Sequence, residues 1–434
     1  MISVGIDISK GKSTVCFMKL YGEVLHKPFE VKHTESDLRH LVNQINTLTE
    51  ESRVVMESTG AYHYPVLTYL KEHGIFTSVI NPLVMSKYAN VAIRKGKTDK
   101  LDAIKIANFG IDHWHHLVDY LPTAEVYDEL KTLNRQYLSY LSMRIHSKQT
   151  LANLLDRTMP EIKTLLCNRS DVPDRDKLCD FVKEYWHFDN ITRMSEARYI
   201  NNYNSWAKRK GYRASTEKAK KIYALALEGI PTLSSTTPST KMLVEEAVKV
   251  LHMIDTTIAS ILAQMRELAK SLKEYKVVMA MPGVGEILGP RIIAELGDVR
   301  SFHSGGAVIA YAGLDAPPFQ SGKFAATKRS ISKRGSASLR KTGYEIMMYI
   351  KMSKPTVDDA VYQYMLKKET EGKPKKVAKI AALNKFLRIY YARVKEVYAA
   401  AYTKTHCSNR PVAFRYLVSF AILIFILIFP EIYG

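Results

Sequence analysis

Residues 2–8 read Ile2-Ser3-Val4-Gly5-Ile6-Asp7-Ile8, an apolar, strand-like run interrupted by one carboxylate. A carboxylate on a buried-looking strand costs several kcal/mol unless it is paired or metal-bound. A second run, Arg53-Val54-Val55-Met56-Glu57, repeats the pattern and ends on Glu57. A third stretch, Lys97-Thr98-Asp99-Lys100-Leu101-Asp102-Ala103, opens a helix-like segment continued by Ile104, Ile106, Ala107 and Phe109. Its aspartates stand at i and i+3, so on a helix they leave one face. Alone they are ordinary acidic first-turn residues, which the helix dipole accommodates. Together with Asp7 and Glu57 they form a set that two strands and a helix start could bring to one point. The chemistry that uses such a set is two-metal phosphodiester chemistry, with divalent ions roughly 4 Å apart.

Working outward from residues 2–8, the first 31 residues read as three strands, 2–8, 13–20 and about 23–31, with turns at Gly11 and Tyr21-Gly22. An amphipathic helix follows from about Glu35 to Leu48, then the strand Val54–Glu57, a helix over Tyr64–Lys71 and a strand over Phe76–Ile80. Asn81-Pro82 supplies an N-cap and a first helical position. A meander of hairpins followed by alternating helices and strands is the ribonuclease H-like layout. The sugar kinase and actin fold opens the same way, but the further phosphate-binding glycine loops and duplicated second half it needs are missing from this sequence.

At 434 residues the chain has room for two or three domains with cores of their own. Its formal charge of +20 points to a polyanionic partner, nucleic acid before anionic membrane. Cys16, Cys167, Cys179 and Cys407 are scattered without metal-ligand spacing and read as reduced thiols. The N-terminus has neither a basic n-region nor an apolar h-region, so no signal peptide and a cytoplasmic location are expected. His113, His115 and His116 have no acidic or thiol partner at ligand spacing and are read as ordinary histidines.

A long helix is expected from Thr123 to about Met159, with an interrupted apolar stripe through Leu130, Leu133, Tyr137, Leu141, Leu151, Leu154 and Leu155. Residues 160–235, basic at Lys208-Arg209-Lys210 and rich in aromatics, are read as a solvated helical insertion. A heptad-like seam with a stutter runs through Leu243, Ala247, Val250, Ile254, Ile258, Ile261, Met265, Leu268 and Leu272. It suits packing within the chain and packing between protomers equally. Met281-Pro282-Gly283-Val284-Gly285, between two helical segments, has the form of a helix-hairpin-helix, whose glycines let backbone N–H groups approach a phosphate. Such contacts position a nucleic-acid backbone and read no sequence.

Beyond it lies a basic tract: seven Lys or Arg and no Asp or Glu fall between Ala316 and Tyr344. Lys323, Lys328, Arg329, Lys333, Arg334 and Arg340 are its candidate phosphate ligands, with Gly283 and Gly285 of the hairpin. A serine in this setting is a nucleophile or a hydrogen-bond donor to phosphate, and spacing alone favours the donor. The tail Leu417–Phe429 is thirteen residues, apolar except for Ser419. As a helix it would span about 20 Å, short of a bilayer core of about 30 Å. It is read as a packing helix or as read-through, with a membrane anchor disfavoured.

Gly5-Ile6-Asp7-Ile8-Ser9-Lys10, Met56-Glu57-Ser58-Thr59-Gly60 and the Lys97–Ala103 stretch resemble the N-terminal domain of the DEDD-type transposases of bacterial insertion sequences, the relatives of the Piv DNA invertase known as bridge-RNA-guided recombinases. The Met281–Gly285 hairpin, Tyr311-Ala312-Gly313-Leu314, Ser321-Gly322-Lys323 and Ile331-Ser332-Lys333-Arg334-Gly335 resemble that family's C-terminal domain. The resemblance covers roughly 1–160 and 240–395 with the motif order kept. The stretch 160–235 is longer than the family's usual middle.

The resemblance implies an α/β RuvC-like, ribonuclease H-like N-terminal domain over 1–120. The residues read as a long helical, coiled-coil-like middle over 121–275, a mainly helical transposase domain with the helix-hairpin-helix over 276–400, and two departures from the family, the insertion at about 160–235 and the apolar tail 401–434. The resemblance implies that Asp7, Glu57, Asp99 and Asp102 bind Mg²⁺ and that Ser321, heading the Ser-Gly-Lys match, is the nucleophile, with Ser332 the runner-up. The implied activity is cutting and rejoining donor and target DNA through a phosphoserine intermediate, guided by a structured non-coding RNA, in a dimer or tetramer with no membrane partner. A Holliday-junction resolvase-like nuclease using water instead of a serine is the alternative.

Overall fold

The computed structural model describes residues 1–58, 60–89, 98–120, 125–166, 176–316, 320–321, 324–325 and 330–408. The chain divides into two compact units, Met1–Pro122 and Thr123–Gly434.

The first unit is built on five strands: β1 (Ile2–Ser9), β2 (Lys12–Lys19), β3 (Val24–Lys32), β4 (Ser52–Glu57) and β5 (Thr77–Ile80). Their order is β3-β2-β1-β4-β5. The first three form the antiparallel meander, while β4 pairs parallel to β1 and β5 parallel to β4. This is the ribonuclease H-like layout expected from the sequence. Among the described residues four α-helices accompany the sheet: α1 (Glu35–Asn46), α2 (Tyr64–Glu72), α3 (Pro82–Ala89) and α4 (Asp99–Asp112). Both faces of β1 are covered, which explains a run with little polar alternation. Val4, Ile6 and Ile8 enter a core with Leu38, Leu41, Val66 and Leu70 of α1 and α2.

The opposite face of β1 lies under α4, and glycine makes that approach possible. A Cβ on Gly5 would stand 2.3 Å from the Ala107 nitrogen and 2.4 Å from the Ala103 carbonyl oxygen. A Cβ on Gly110 would stand 2.1 Å from the Ser3 hydroxyl and 2.9 Å from a Val55 methyl. With Ser3 beside Gly110 and Gly5 beside Ala103 and Ala107, α4 runs antiparallel to β1. Its N-terminal turn therefore overlies the C-terminal end of the strand.

The second unit begins with α5 (Glu125–Thr158), followed by α6 (Ile162–Leu166), α7 (Lys177–Glu184), α8 (Asp189–Thr192), α9 (Glu196–Arg209) and α10 (Thr216–Glu228). Helix α11 (Pro238–Lys270) returns along α5, then come α12 (Tyr275–Met279), α13 (Leu288–Leu296) and α14 (Gly305–Tyr311). A small hairpin of β6 (Gln320–Ser321) and β7 (Phe324–Ala325) precedes α15 (Ala337–Ser353), α16 (Ala360–Thr370) and α17 (Lys375–Ser408).

Residues read as a solvated insertion have a core of their own. Phe181, Tyr199, Tyr203 and Trp206 are sealed in a cluster with Leu151, Leu155 and Ile222. The seam on α11 also needs correcting. Ile254, Ile258 and Met265 are buried, but Leu243 and Val250 are 44% and 41% exposed. The buried line is Val244, Val248 and Leu251, then Ile254, Ile258, Leu262, Met265 and Ala269, packed within the chain. Among the described residues no helix is long and apolar enough to cross a membrane, and the apolar stretch 417–429 lies outside them.

Candidate active site

Ile6 of β1 pairs with Met56 of β4, and each is followed by a carboxylate, Asp7 and Glu57. Neighbouring parallel strands lie about 4.8 Å apart, so these residues occupy adjacent positions at two strand ends. Alternation puts Asp7 on the face of Gly5, and Glu57 on the face of Val55. Both of those residues meet α4. The carboxylates are half-buried on that face, toward the end where α4 begins.

Helix α4 starts at Asp99 because Thr98 caps it, its hydroxyl accepting from the Leu101 amide at 3.2 Å. Asp99 and Asp102 follow in the first turn, where the unpaired N–H groups favour negative charge. Asp99 is exposed, whereas Asp102 is half-buried and accepts from Lys105 Nζ at 2.9 Å. Lys12, at the start of β2, is held above the usual lysine range by its hydrogen bond to Glu30, with a smaller contribution from Asp99. Asp7 and Glu57 thus share the side of the sheet that α4 covers, toward the end where α4 begins with Asp99 and Asp102. Among the described residues, no three His, Cys, Asp or Glu side chains stand close enough to hold a metal ion.

In the second unit, the hairpin between α12 and α13 turns at Gly283, whose φ is +75°. A Cβ there would lie 2.5 Å from Ile350 and 2.9 Å from the Ile346 carbonyl oxygen, so this glycine seats the turn against α15. Gly285 is exposed with open space around it. The hairpin borders a cleft of about 1190 Å³ whose lining includes Tyr137, Arg144, Asp255, Arg266, Arg291 and Tyr349.

The loop carrying Ser321 is tied at its base. Ser332 donates from its amide to the Asp315 carbonyl at 2.7 Å and from its hydroxyl to the Asp315 carboxylate at 2.5 Å. The amides of Lys333 and Ser336 donate to the carbonyls of Gly313 and Tyr311 at 3.0 and 2.9 Å. A Cβ on Gly335 would lie 2.2 Å from the Tyr311 oxygen, so the two chain segments cross at van der Waals contact. Arg340 donates to the carbonyls of Ala312 and Gly335, both at 3.0 Å, and so braces this crossing from within. Lys333 and Arg334 are exposed. Ser321 lies in β6, its backbone paired with Phe324, while Lys323, Lys328 and Arg329 lie outside the described residues.

Sequence reasoning passed over two carboxylates here. Asp315 stands one residue before the basic tract as it was delimited, and its place beside Gly313-Leu314 was the available signal. Glu295, 1% exposed, accepts from Asn134 Nδ2 at 2.7 Å and from Ser336 Oγ at 2.9 Å, joining α5, α13 and the start of α15. Nothing in its sequence neighbourhood marks that role.

Half-buried carboxylates at two adjacent strand ends, toward the end where an acid-rich helix begins, are the chemical features that the first unit offers. Comparison with known proteins is more specific. Residues 4–160 match a family model described as Transposase, and residues 275–363 match one described as Transposase IS116/IS110/IS902 family. The chain belongs to this IS110-type transposase family, related to the Piv invertase, and is a DNA transposase or recombinase. It is 24% identical over 395 residues to the pilin gene-inverting protein of Moraxella lacunata, covering 91% of this chain and 95% of that one. To an insertion element IS116 uncharacterized 44.8 kDa protein of Streptomyces clavuligerus it is also 24% identical, over 74% of this chain and 78% of that one. Among solved structures, T. thermophilus RuvC in complex with a Holliday junction substrate aligns with 27% of this chain and 96% of its own, at 14% identity and a TM-score of 0.21.

Proposed function

We propose that this chain cuts and rejoins the DNA of an insertion sequence in the cytoplasm, using Asp7, Glu57, Asp99 and Asp102 as an Mg²⁺ site and Ser321 as nucleophile. The observation that carries the reading is the placement of Asp7 and Glu57 at neighbouring strand ends beneath the helix that starts with Asp99 and Asp102. The donor set is all-carboxylate, which suits Mg²⁺ in kind. Bringing Asp102 into such a site requires its oxygen to leave Lys105. Bound there, the metal would supply Lewis-acid polarisation of a phosphoryl oxygen.

The remaining chemistry falls to the chain's own residues. Ser321 Oγ forms a bond to phosphorus, a deoxyribose oxygen leaves carrying the electron pair of the broken P–O bond, and the proton lost by the serine ends on that oxygen as a hydroxyl. The phosphoserine ester keeps the phosphodiester's bond energy for rejoining, with a deoxyribose hydroxyl as the returning nucleophile. Lys323, Lys328, Arg329, Lys333 and Arg334 hold phosphates of the substrate, with Gly283 and Gly285 of a helix-hairpin-helix as backbone donors. In this scheme Arg340 acts from behind, bracing the loop base.

The likeness to a protein named for inverting a pilin gene supports rejoining as the outcome rather than hydrolysis. The family resemblance further supports a structured guide RNA, which would supply sequence by pairing with donor and target while the protein holds backbone and shape. Two or more protomers are needed to exchange strands between two duplexes. The organisation that goes with this is a catalytic domain over 1–120, a coiled-coil-like helical middle over 121–275 and a transposase domain over 276–400.

The experiment is strand cleavage of DNA carrying the element's ends, with Mg²⁺ and the element's own transcript. Asp7→Ala, Glu57→Ala, Asp99→Ala or Asp102→Ala should each abolish cleavage and leave DNA binding largely intact. Full cleavage by Asp102→Ala would overturn the metal-site reading.

A further inference from the structure

The helical module of α7, α9 and α10 lies between the two family-matched segments, 4–160 and 275–363, so neither assigns it a role. At one end of this module sits Lys177, only 7% exposed. Its ammonium lies 5.4 Å from the ring of Tyr203, 6.0 Å from Trp206 and 5.4 Å from Tyr212. Three ring faces hold the cation in place, yet no carboxylate pairs with it among the described residues. Burial lowers the pKa of Lys177, and the nearby charge of Lys218, in the first turns of α10, lowers it further.

The neighbouring carboxylate, Asp180, is shared between Tyr212 Oη at 2.7 Å and Lys210 Nζ at 3.4 Å. Around it, Lys208, Arg209 and Lys210 close α9, and Arg213 lies in the exposed turn before α10. Arg209 reaches Glu184 at 3.3 Å, whereas Lys208 and Arg213 have no acidic partner among the described residues. An ordinary solvated basic face would keep its lysines in water. Here a lysine is desolvated beside Lys218, and among the described residues no carboxylate pairs with it directly, an arrangement that an arriving anion would favour.

We infer that the α9–α10 end of this module is a binding surface for the phosphate backbone of a nucleic-acid duplex, with Lys210, Arg213 and Lys218 as its contacts and Lys177 as a buried positive charge behind them. The surface recognises charge and backbone spacing, not sequence. DNA and RNA present the same phosphate chemistry, so the test carries an arm for each. This surface is additional to the loop and hairpin of the proposed active site and does not depend on their chemistry.

The test uses the full chain in EDTA, where cutting is not required, with a short DNA duplex and an RNA duplex of matched sequence titrated over a series of salt concentrations. Failure of the carboxylate reading would leave this binding measurement unaffected. The combined variant Lys210→Gln, Arg213→Gln, Lys218→Gln should weaken binding by about tenfold to a hundredfold near physiological salt and make the log–log salt slope shallower by about two to three. A loss on the DNA arm, the RNA arm or both supports the surface and names its ligand. Arg213→Gln alone, on an exposed turn that tolerates it, should flatten the slope by about one. Unchanged affinity and slope on both duplexes, for either variant with circular dichroism like the parent, would overturn the inference.

Discussion

Ser332 is bound twice to Asp315, hydroxyl to carboxylate at 2.5 Å and amide to carbonyl at 2.7 Å. The pair closes the base of the loop that carries Ser321. The Ser332 hydroxyl also accepts from the Arg334 amide at 3.3 Å. A serine held this way ties two chain segments together, which is a different task from attacking phosphorus. Ser332→Ala should therefore cost about 1 kcal/mol, the usual loss for one hydrogen bond, with more if the Asp315 carboxylate is left unsatisfied. Chemical denaturation reads this directly. An unchanged midpoint together with loss of strand transfer would reverse the roles of the two serines.

The approach of α4 to the sheet rests on the bare backbone of Gly5. Gly5→Ala puts a methyl 2.3 Å from the Ala107 nitrogen, a backbone atom that cannot swing aside. The helix must lift or the strand must bend, at a cost of about 1–3 kcal/mol. Because Asp99 and Asp102 travel with the helix, the variant should also lose DNA cleavage at temperatures where it remains folded. Parent-like stability and cleavage would show that the corner does not depend on this contact.

Met265 is wholly buried on α11, in the cluster that includes Leu130 and Tyr137 of α5. Met265→Ala should destabilise the chain by about 2–5 kcal/mol, and Leu243→Ala, at an exposed position, by far less. A solution mass that falls on Met265→Ala with the unfolding midpoint unchanged would instead assign the seam to an interface between protomers.

The fate of that seam shows where sequence reading reaches its limit. The spacing was legible, and Ile254, Ile258 and Met265 are indeed buried. The phase was not, because α11 changes partner along its length. Val244, Val248 and Leu251 pack in the aromatic core with Tyr199 and Trp206, whereas Ile254 to Ala269 pack with α5 and α13. A helix that turns a different stripe to each partner shows no single repeat. The N-terminal strands were legible for the opposite reason. Hairpin turns and alternate burial are local, and they place Asp7 and Glu57 on one face once β1 and β4 pair in parallel. What could not be read are contacts assembled from distant segments. The rings around Lys177 come from positions 203, 206 and 212, and Glu295 is joined to Asn134 from 161 positions away.

The proposed activity is tested most directly by trapping the protein on its DNA. The full-length chain is incubated with DNA carrying the element's ends, Mg²⁺ and the element's transcript, then run on a denaturing gel, and the linked peptide is sequenced. The account expects a covalent adduct on Ser321, absent in Ser321→Ala and in Asp102→Ala, and retained in Ser332→Ala. An adduct on Ser332, or strand exchange that survives Ser321→Ala, would contradict it.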